Sequence, residues 1–246
     1  MDKMLYTAAN GASQAMKAQT AIAHNLSNAN TTGFKSHFNT FTSWHVEGPG
    51  FNTRVLNQQN ADDIDLDKGS IIHTGRELDV AINGEGFIAV QNADGQEAYT
   101  RAGDLRLDSE GRLTTGGGFS VIGNAGPIVI PPAEKIEIGQ DGSISIVPVG
   151  QSPDSLVVAE RIKLVNLDVK GLSKNADGLL QLEGAVIAPA AADVTLENGV
   201  LEASNVNAVG QMIELITNAR QFETNIKLMQ EAKSNDEASA RLLSNR

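Results

Sequence analysis

Residues 204–243, SNVNAVGQMIELITNARQFETNIKLMQEAKSNDEASARLL, decide how this chain is read. Val209, Met212, Ile216, Ala219, Phe222, Ile226 and Met229 recur at three- and four-residue steps, the seam of a helix laid against another helix. Glu214, Arg220, Glu223, Lys227, Glu231 and Lys233 lie between them and supply a solvated face. A stripe of this kind requires a partner. A helix from about Asn207 to Leu243 would run roughly 55 Å at 1.5 Å per residue, longer than a small domain is wide, so part of it should protrude.

A second seam stands at the other end of the chain. Leu5, Ala8, Ala12, Ala15, Ile22 and Leu26 repeat at near-heptad spacing, with Met16 and Ala23 beside them. These positions are mostly small, so a partner helix can approach closely while burying little area per residue. Asn10-Gly11 has no strand pattern around it and reads as a soft point in a helix, since Gly costs about 1 kcal/mol relative to Ala there. Isolated helices of this length are marginal in water, so both ends are expected to gain order on assembly. The helix should stop in Asn25-Leu26-Ser27-Asn28-Ala29-Asn30-Thr31-Thr32-Gly33-Phe34-Lys35, where Asn, Ser and Thr compete for the backbone and Gly33 suits a left-handed turn.

Residues 36–72 hold Phe38, Phe41, Trp44, Gly48-Pro49-Gly50 and Phe51 without a sustained period, and read as an extended connector with short strands. Its aromatics suggest interior packing over docking to a neighbour. From Leu78 to Leu201 the period becomes two. Strands are predicted at Leu78–Ile82, Gly86–Val90, Ala98–Thr100, Leu105–Leu107, Phe119–Ile122, Ile128–Ile130, Ile136–Ile138, Ile144–Val147, Arg161–Leu167 and Leu179–Leu182. Asn83-Gly84, Asp94-Gly95, Glu110-Gly111, Asp141-Gly142, Asp177-Gly178 and Asn198-Gly199 punctuate them as turns. The expected class is α+β: N- and C-terminal amphipathic helices pairing as a coiled-coil-like stalk, with an inserted all-β domain. The divisions expected are 1–35 for the first helix and turn, 36–72 for the connector, 73–203 for the β domain and 204–246 for the second helix.

Enzyme chemistry finds no footing in this pattern. His24, His37, His45 and His73 lack paired spacing, Ser70 and Ser143 lack a nucleophile elbow, and neither Gly84-Glu85-Gly86 nor Gly116-Gly117-Gly118 continues into a phosphate-binding loop. Asp62-Asp63-Ile64-Asp65-Leu66-Asp67-Lys68-Gly69 fails as a calcium loop, because the glycine falls one place late and Thr74 stands where a bidentate Glu belongs. No catalytic residue, metal or cofactor is therefore expected. A net charge of −11 argues against nucleic acid, and the absence of cysteine excludes disulfides and thiolate chemistry. No apolar run reaches the ~18 residues of a membrane span, and the start lacks the order of a cleaved secretory signal. The expectation is no membrane insertion, and either a cytosolic protein or one exported by another route.

Two of these stretches resemble a known family. Asn25 to Lys35 after an amphipathic start is similar to the N-terminal signature of the bacterial flagellar rod and hook proteins, and Leu201-Glu202-Ala203-Ser204-Asn205-Val206-Asn207 to their C-terminal one. Thr74 to Ile82 and Ala98-Tyr99-Thr100-Arg101-Ala102-Gly103 match the family generally. Val121 to Ile128, Arg220-Gln221-Phe222-Glu223 and Lys227-Leu228-Met229 look most like its proximal rod members. Gly210-Gln211 departs from the pattern where acidic residues are expected, which weakens the helix start.

The resemblance implies a structural subunit of the basal-body rod. Its terminal helices would build a torque-transmitting tube, with the distal rod protein as the nearest expected neighbour and the flagellar type III export apparatus as a further partner. It also implies an assembly interface of Leu5, Ala8, Ala12, Met16, Ile22, Leu26, Asn28, Gly33, Phe34, Val209, Met212, Ile216, Ala219, Phe222, Ile226 and Met229. A distal rod or hook subunit is the alternative within the family. Outside it stands an extracellular carbohydrate-binding or carbohydrate-cleaving β domain, disfavoured by an aromatic content of 4%.

Overall fold

Helices α1 (Asp2–Ser27) and α2 (Ala208–Ser244) form where three-and-four periodicity predicts them. The computed structural model describes residues 2–45, 55–151, 155–167, 171–175, 177–182, 184 and 186–244. Asn207 caps α2: its Oδ1 accepts the Gly210 N–H at 3.1 Å, satisfying one of the donors that a helix start leaves open. No acidic side chain supports that first turn. At the other boundary the Asn28 side chain donates to the His24 carbonyl at 2.9 Å and helps close α1.

The chain divides into two compact units, one of residues 1–29, 36–65 and 206–246, the other of residues 30–35 and 66–205. The signature turn at 30–35 thus belongs with the β strands. In the first unit, α1 packs against α2 and against β1 (His37–His45) and β2 (Val55–Ile64). The helices run antiparallel, because Asn25 bonds Gln211 while Gly11 faces Asn225.

β1 and β2 pair antiparallel from His37 opposite Ile64 to His45 opposite Val55. The connector is thus a two-stranded ribbon with longer strands than expected. Interior packing of its aromatics is corrected as well: Phe38, Phe41 and Trp44 are 48%, 40% and 62% exposed. A two-stranded ribbon has too little of its own surface to cover them. Gly48-Pro49-Gly50 and Phe51 lie outside the described residues.

The second unit carries β3 (Ile71–His73), β4 (Val80–Asn83), β5 (Phe87–Gln91), β6 (Glu97–Thr100), β7 (Leu105–Leu107), β8 (Leu113–Thr115), β9 (Ser120–Val121), β10 (Ala133–Ile138) and β11 (Ser143–Pro148). It continues with β12 (Val157–Arg161), β13 (Leu164–Val165), β14 (Leu172–Lys174), β15 (Leu180–Leu182), β16 (Thr195–Asn198) and β17 (Val200–Glu202). The largest sheet runs β14-β15-β6-β5-β9-β8-β7, with β13 also on β5. A second sheet is β10-β11-β12, and β16 pairs β4 while β17 pairs β3.

Strands in this unit are short because Gly and Asx-Gly turns interrupt them, as Asp94-Gly95 does between β5 and β6 and Asn198-Gly199 between β16 and β17. One core gathers Val80, Ile88, Val90, Leu105, Leu113, Val121, Ile128, Ile144, Ile162 and Leu196 from these sheets. The strand expected at Ile128–Ile130 is corrected. Both isoleucines are buried, but the segment carries a single bridge, Val129 to Arg112, since Pro131-Pro132 removes the donors that a longer ladder requires.

Candidate functional site

The arm built from α1 and α2 is held by small and polar residues. On α1 the inward face is Ala8, Gly11, Ala12, Ala15, Ala18, Ile22 and Asn25; on α2 it is Gln211, Leu215, Asn218, Phe222, Asn225, Met229 and Ala232. This α2 seam follows a four-three repeat one residue out of phase with Val209, Met212 and Ile216, which stay 67%, 50% and 56% exposed. Ala219, Phe222, Ile226 and Met229 are half-buried. On α1, Ala8, Ala12 and Ile22 are buried, Leu26 and Asn28 half-buried, and Leu5 and Met16 exposed. Gly33 and Phe34 are buried in the β unit. Leu5, Ile226, Met229, Lys233 and Ala240 line an open, mainly apolar groove of about 510 Å³.

Asn25, only 2% exposed, ties three elements together. Its Oδ1 accepts the His37 N–H at 2.9 Å, and its Nδ2 donates to the His37 carbonyl at 2.7 Å and to Gln211 Oε1 at 3.3 Å. Asn25→Ala leaves the His37 backbone groups without these partners and should cost about 2 kcal/mol. Hydrogen exchange at the His37 amide checks it, with faster exchange expected in the variant. The histidines, separate in sequence, meet in one place: the His24 and His37 rings stand edge to face at 5.3 Å. Among the described residues no three metal-ligating side chains cluster.

The β unit holds a charge cluster that sequence reading did not find. The Glu202 carboxylate accepts from Lys35 Nζ at 2.7 Å and the Gly69 N–H at 3.0 Å through Oε1, and from Arg101 at 2.9 Å through Oε2. Lys35 and Arg101 are as buried as Glu202. Lys35 also donates to the Asp67 carbonyl at 2.6 Å, and Arg101 to the carbonyls of Gly86 and Gly84 at 3.0 and 2.8 Å. Burial works to raise the Glu202 carboxyl pKa. The Lys35 hydrogen bond, the Gly69 N–H and the Arg101 charge outweigh it, so the group lies below the usual carboxylate range.

Beside the cluster, the Gly33 N–H donates to the Glu202 carbonyl at 2.8 Å, and Lys174 Nζ sits 3.7 Å from the Phe34 ring centre. Burial pulls that ammonium down to about 8. Lys35, Arg101 and Glu202 each stand inside one of the three signature stretches. The only signal the sequence offered was a lone charge among small and apolar neighbours. Nothing in the cluster is open to a substrate, so its chemistry is structural: it fastens both signatures and the Ala98–Gly103 stretch to one point.

Comparison with known proteins agrees with this arrangement. The flagella basal body rod protein profile matches residues 5–35, the flagellar hook protein FlgE/F/G D1 domain profile residues 81–146, and the flagellar basal body rod FlgEFG protein C-terminal profile residues 197–242. The chain is 39% identical to the flagellar basal-body rod protein FlgF of Escherichia coli and 38% identical to that of Salmonella typhimurium, in each case over 99% of both chains. It is 33% identical to the flagellar basal-body rod protein FlgG of Bacillus subtilis over 93% of this chain and 94% of the relative. With helices at both ends, a β unit between them, and relatives aligned from end to end, this chain belongs to the flagellar basal-body rod protein family.

Proposed function

We propose that the chain is a structural subunit of the proximal rod of the bacterial flagellar basal body, built into a tubular shaft that carries torque. The observation behind this reading is the arm. Its inward face is used up between α1 and α2, while Met16, Val209, Met212, Ile213 and Ile216 stay exposed on the outside. Apolar side chains spread along a two-helix rod are what a wall of packed helices needs from each of its members. Ala8, Ala12, Ile22, Phe222 and Met229 hold the arm together, and Leu5 and Ile226 border the groove. Gly33 and Phe34 anchor the signature turn.

In this reading other rod proteins are the partners, with the distal rod protein next in line. The subunit passes through the flagellar export apparatus without signal cleavage, lies in the periplasmic part of the rod and has no enzymatic role. Among the described residues no helix is long and apolar enough to cross a membrane. The alanine-rich seam and its polar positions favour weak self-association without the correct neighbour, so the purified chain should sediment as a monomer at high concentration. The test is the double variant Met212→Glu, Ile216→Glu. Both side chains are exposed, so its unfolding temperature should stay within about 2 °C of the parent, because surface changes cost little. Cells carrying it should lack complete rods and motility. Normal rods would overturn the proposal.

A further inference from the structure

Three Asn-Gly pairs punctuate the chain, and the fold holds them differently. Asn10-Gly11 lies inside α1, where the Gly11 N–H is committed to the helix ladder. At Asn198-Gly199 the Asn198 side chain donates to the Ile138 carbonyl, and the Gly199 N–H donates to the Asp79 carbonyl at 2.8 Å. Asn83-Gly84 has neither restraint. β4 pairs with β16 as far as Asn83 opposite Thr195, and the ladder ends there. Asn83 is exposed, and among the described residues neither its side-chain amide nor the Gly84 N–H makes a hydrogen bond. Gly84 has φ of +102° with nothing within 4 Å of an added Cβ, so there is room beside it for a ring to close. A side-chain amide next to an unheld glycine N–H is the arrangement in which the two react, since glycine puts no Cβ in the way of attack.

We propose that Asn83 is a site of spontaneous deamidation, and that its isoaspartyl product loosens the anchor of Arg101. The Gly84 nitrogen loses its proton to solvent and bonds to Asn83 Cγ; the bond from Cγ to the amide nitrogen breaks, ammonia leaves, and a succinimide ring closes. Water then reopens the ring. Attack at Cγ gives an ordinary aspartyl link. Attack at the main-chain carbonyl leaves Gly84 joined through Cγ, which lengthens the backbone by one methylene and frees a carboxylate. The loop just beyond carries two of the three groups that hold Arg101: the Gly84 carbonyl accepts from Nη2 at 2.8 Å and the Gly86 carbonyl from Nε at 3.0 Å, the third being Glu202. Gly86 cannot take up the extra length, because an added Cβ there would already stand 2.7 Å from Val194 Cγ1. The change therefore falls on Gly84, and it sets a new negative charge one residue from a carbonyl that Arg101 grips, in competition with Glu202.

The test keeps the full-length folded chain in mildly alkaline heavy-oxygen water, then digests it in ordinary water for mass spectrometry. The peptide holding Asn83 should take up label about tenfold faster than those holding Asn10 and Asn198, the factor for one hydrogen bond that must break before attack. In urea, where all three pairs are freed, the three rates should converge. Labelled molecules carry one more negative charge and separate by ion exchange. Ring opening favours the isoaspartyl product, so their unfolding temperature should lie about 3 °C or more below that of the fresh chain. Asn83→Gln is an exposed change that leaves the fold in place and requires a larger ring, so it should take up no label there and keep its unfolding temperature over the same time. Label at Asn83 no faster than at the other two pairs in the folded chain would overturn the assignment of the site. Labelled molecules as stable as the fresh chain would remove the loosened anchor.

Discussion

Glu202→Gln should destabilise the β unit by about 3–5 kcal/mol, the usual consequence of removing one partner from a buried ion cluster. The variant keeps the shape of the side chain and can still accept from Lys35 and the Gly69 N–H, but two buried cations lose the negative charge that they share. Its charge, and not its volume, is what the site requires. Replacing all three of Lys35, Arg101 and Glu202 by Met should therefore recover much of the loss, because an apolar cluster has no charge to desolvate.

The pH dependence carries the same signature. The folded carboxyl lies below its unfolded value of about 4.3, so its contribution is complete above that pH and disappears as pH falls through the folded value. Urea unfolding of parent and variant, followed by amide exchange in β5 and β17, should show a gap that is constant from pH 5 to 7 and closes below about pH 4. An equal gap at pH 3 and pH 7 would show that Glu202 acts through packing alone.

Gly33→Ala is the second large effect. Gly33 has φ of +65°, and a Cβ there would stand 2.2 Å from the Arg101 carbonyl carbon and 2.3 Å from the Ala102 nitrogen. Both are backbone atoms and cannot swing aside, so the turn must move and give up the 2.8 Å bond from the Gly33 N–H to the Glu202 carbonyl. A loss of about 3 kcal/mol or more is expected. Gly75→Ala separates the two causes. Gly75 has φ of +70° with nothing within 4 Å of the added Cβ, so it bears the left-handed strain alone and should cost about 1 kcal/mol. Thermal unfolding of the two variants side by side measures the difference, and equal losses would remove the steric argument.

The helices and the β unit were legible because their periods, near 3.6 and 2, are written in local residue order. The phase of the α2 seam was not. Val209, Met212 and Ile216 look like a buried stripe, yet the structure turns Gln211, Leu215 and Asn218 inward beside them. An apolar stripe kept for other subunits and one used within the chain have the same spacing, and only the close approach of the alanine face of α1 decides which is used first. The aromatic residues of β1 misled for a related reason, since β-ribbon composition does not reveal that Phe38, Phe41 and Trp44 are left exposed among the described residues. The Glu202 cluster lay beyond local reading, because its members come from three distant stretches, and a single charge among small and apolar neighbours does not say which other charge it will meet.

That distance has an effect on how the molecule comes into being. Lys35 precedes Glu202 by 167 positions and Arg101 precedes it by 101. In a chain that emerges from its N-terminus, both cations appear first in water, and their counter-ion follows only when most of the chain is present. Until then the strands from β3 onward lack both the ladder partner of β3 and the group that neutralises their centre. The late carboxylate thus acts as a latch that lets the β unit set only once nearly the whole chain is in hand.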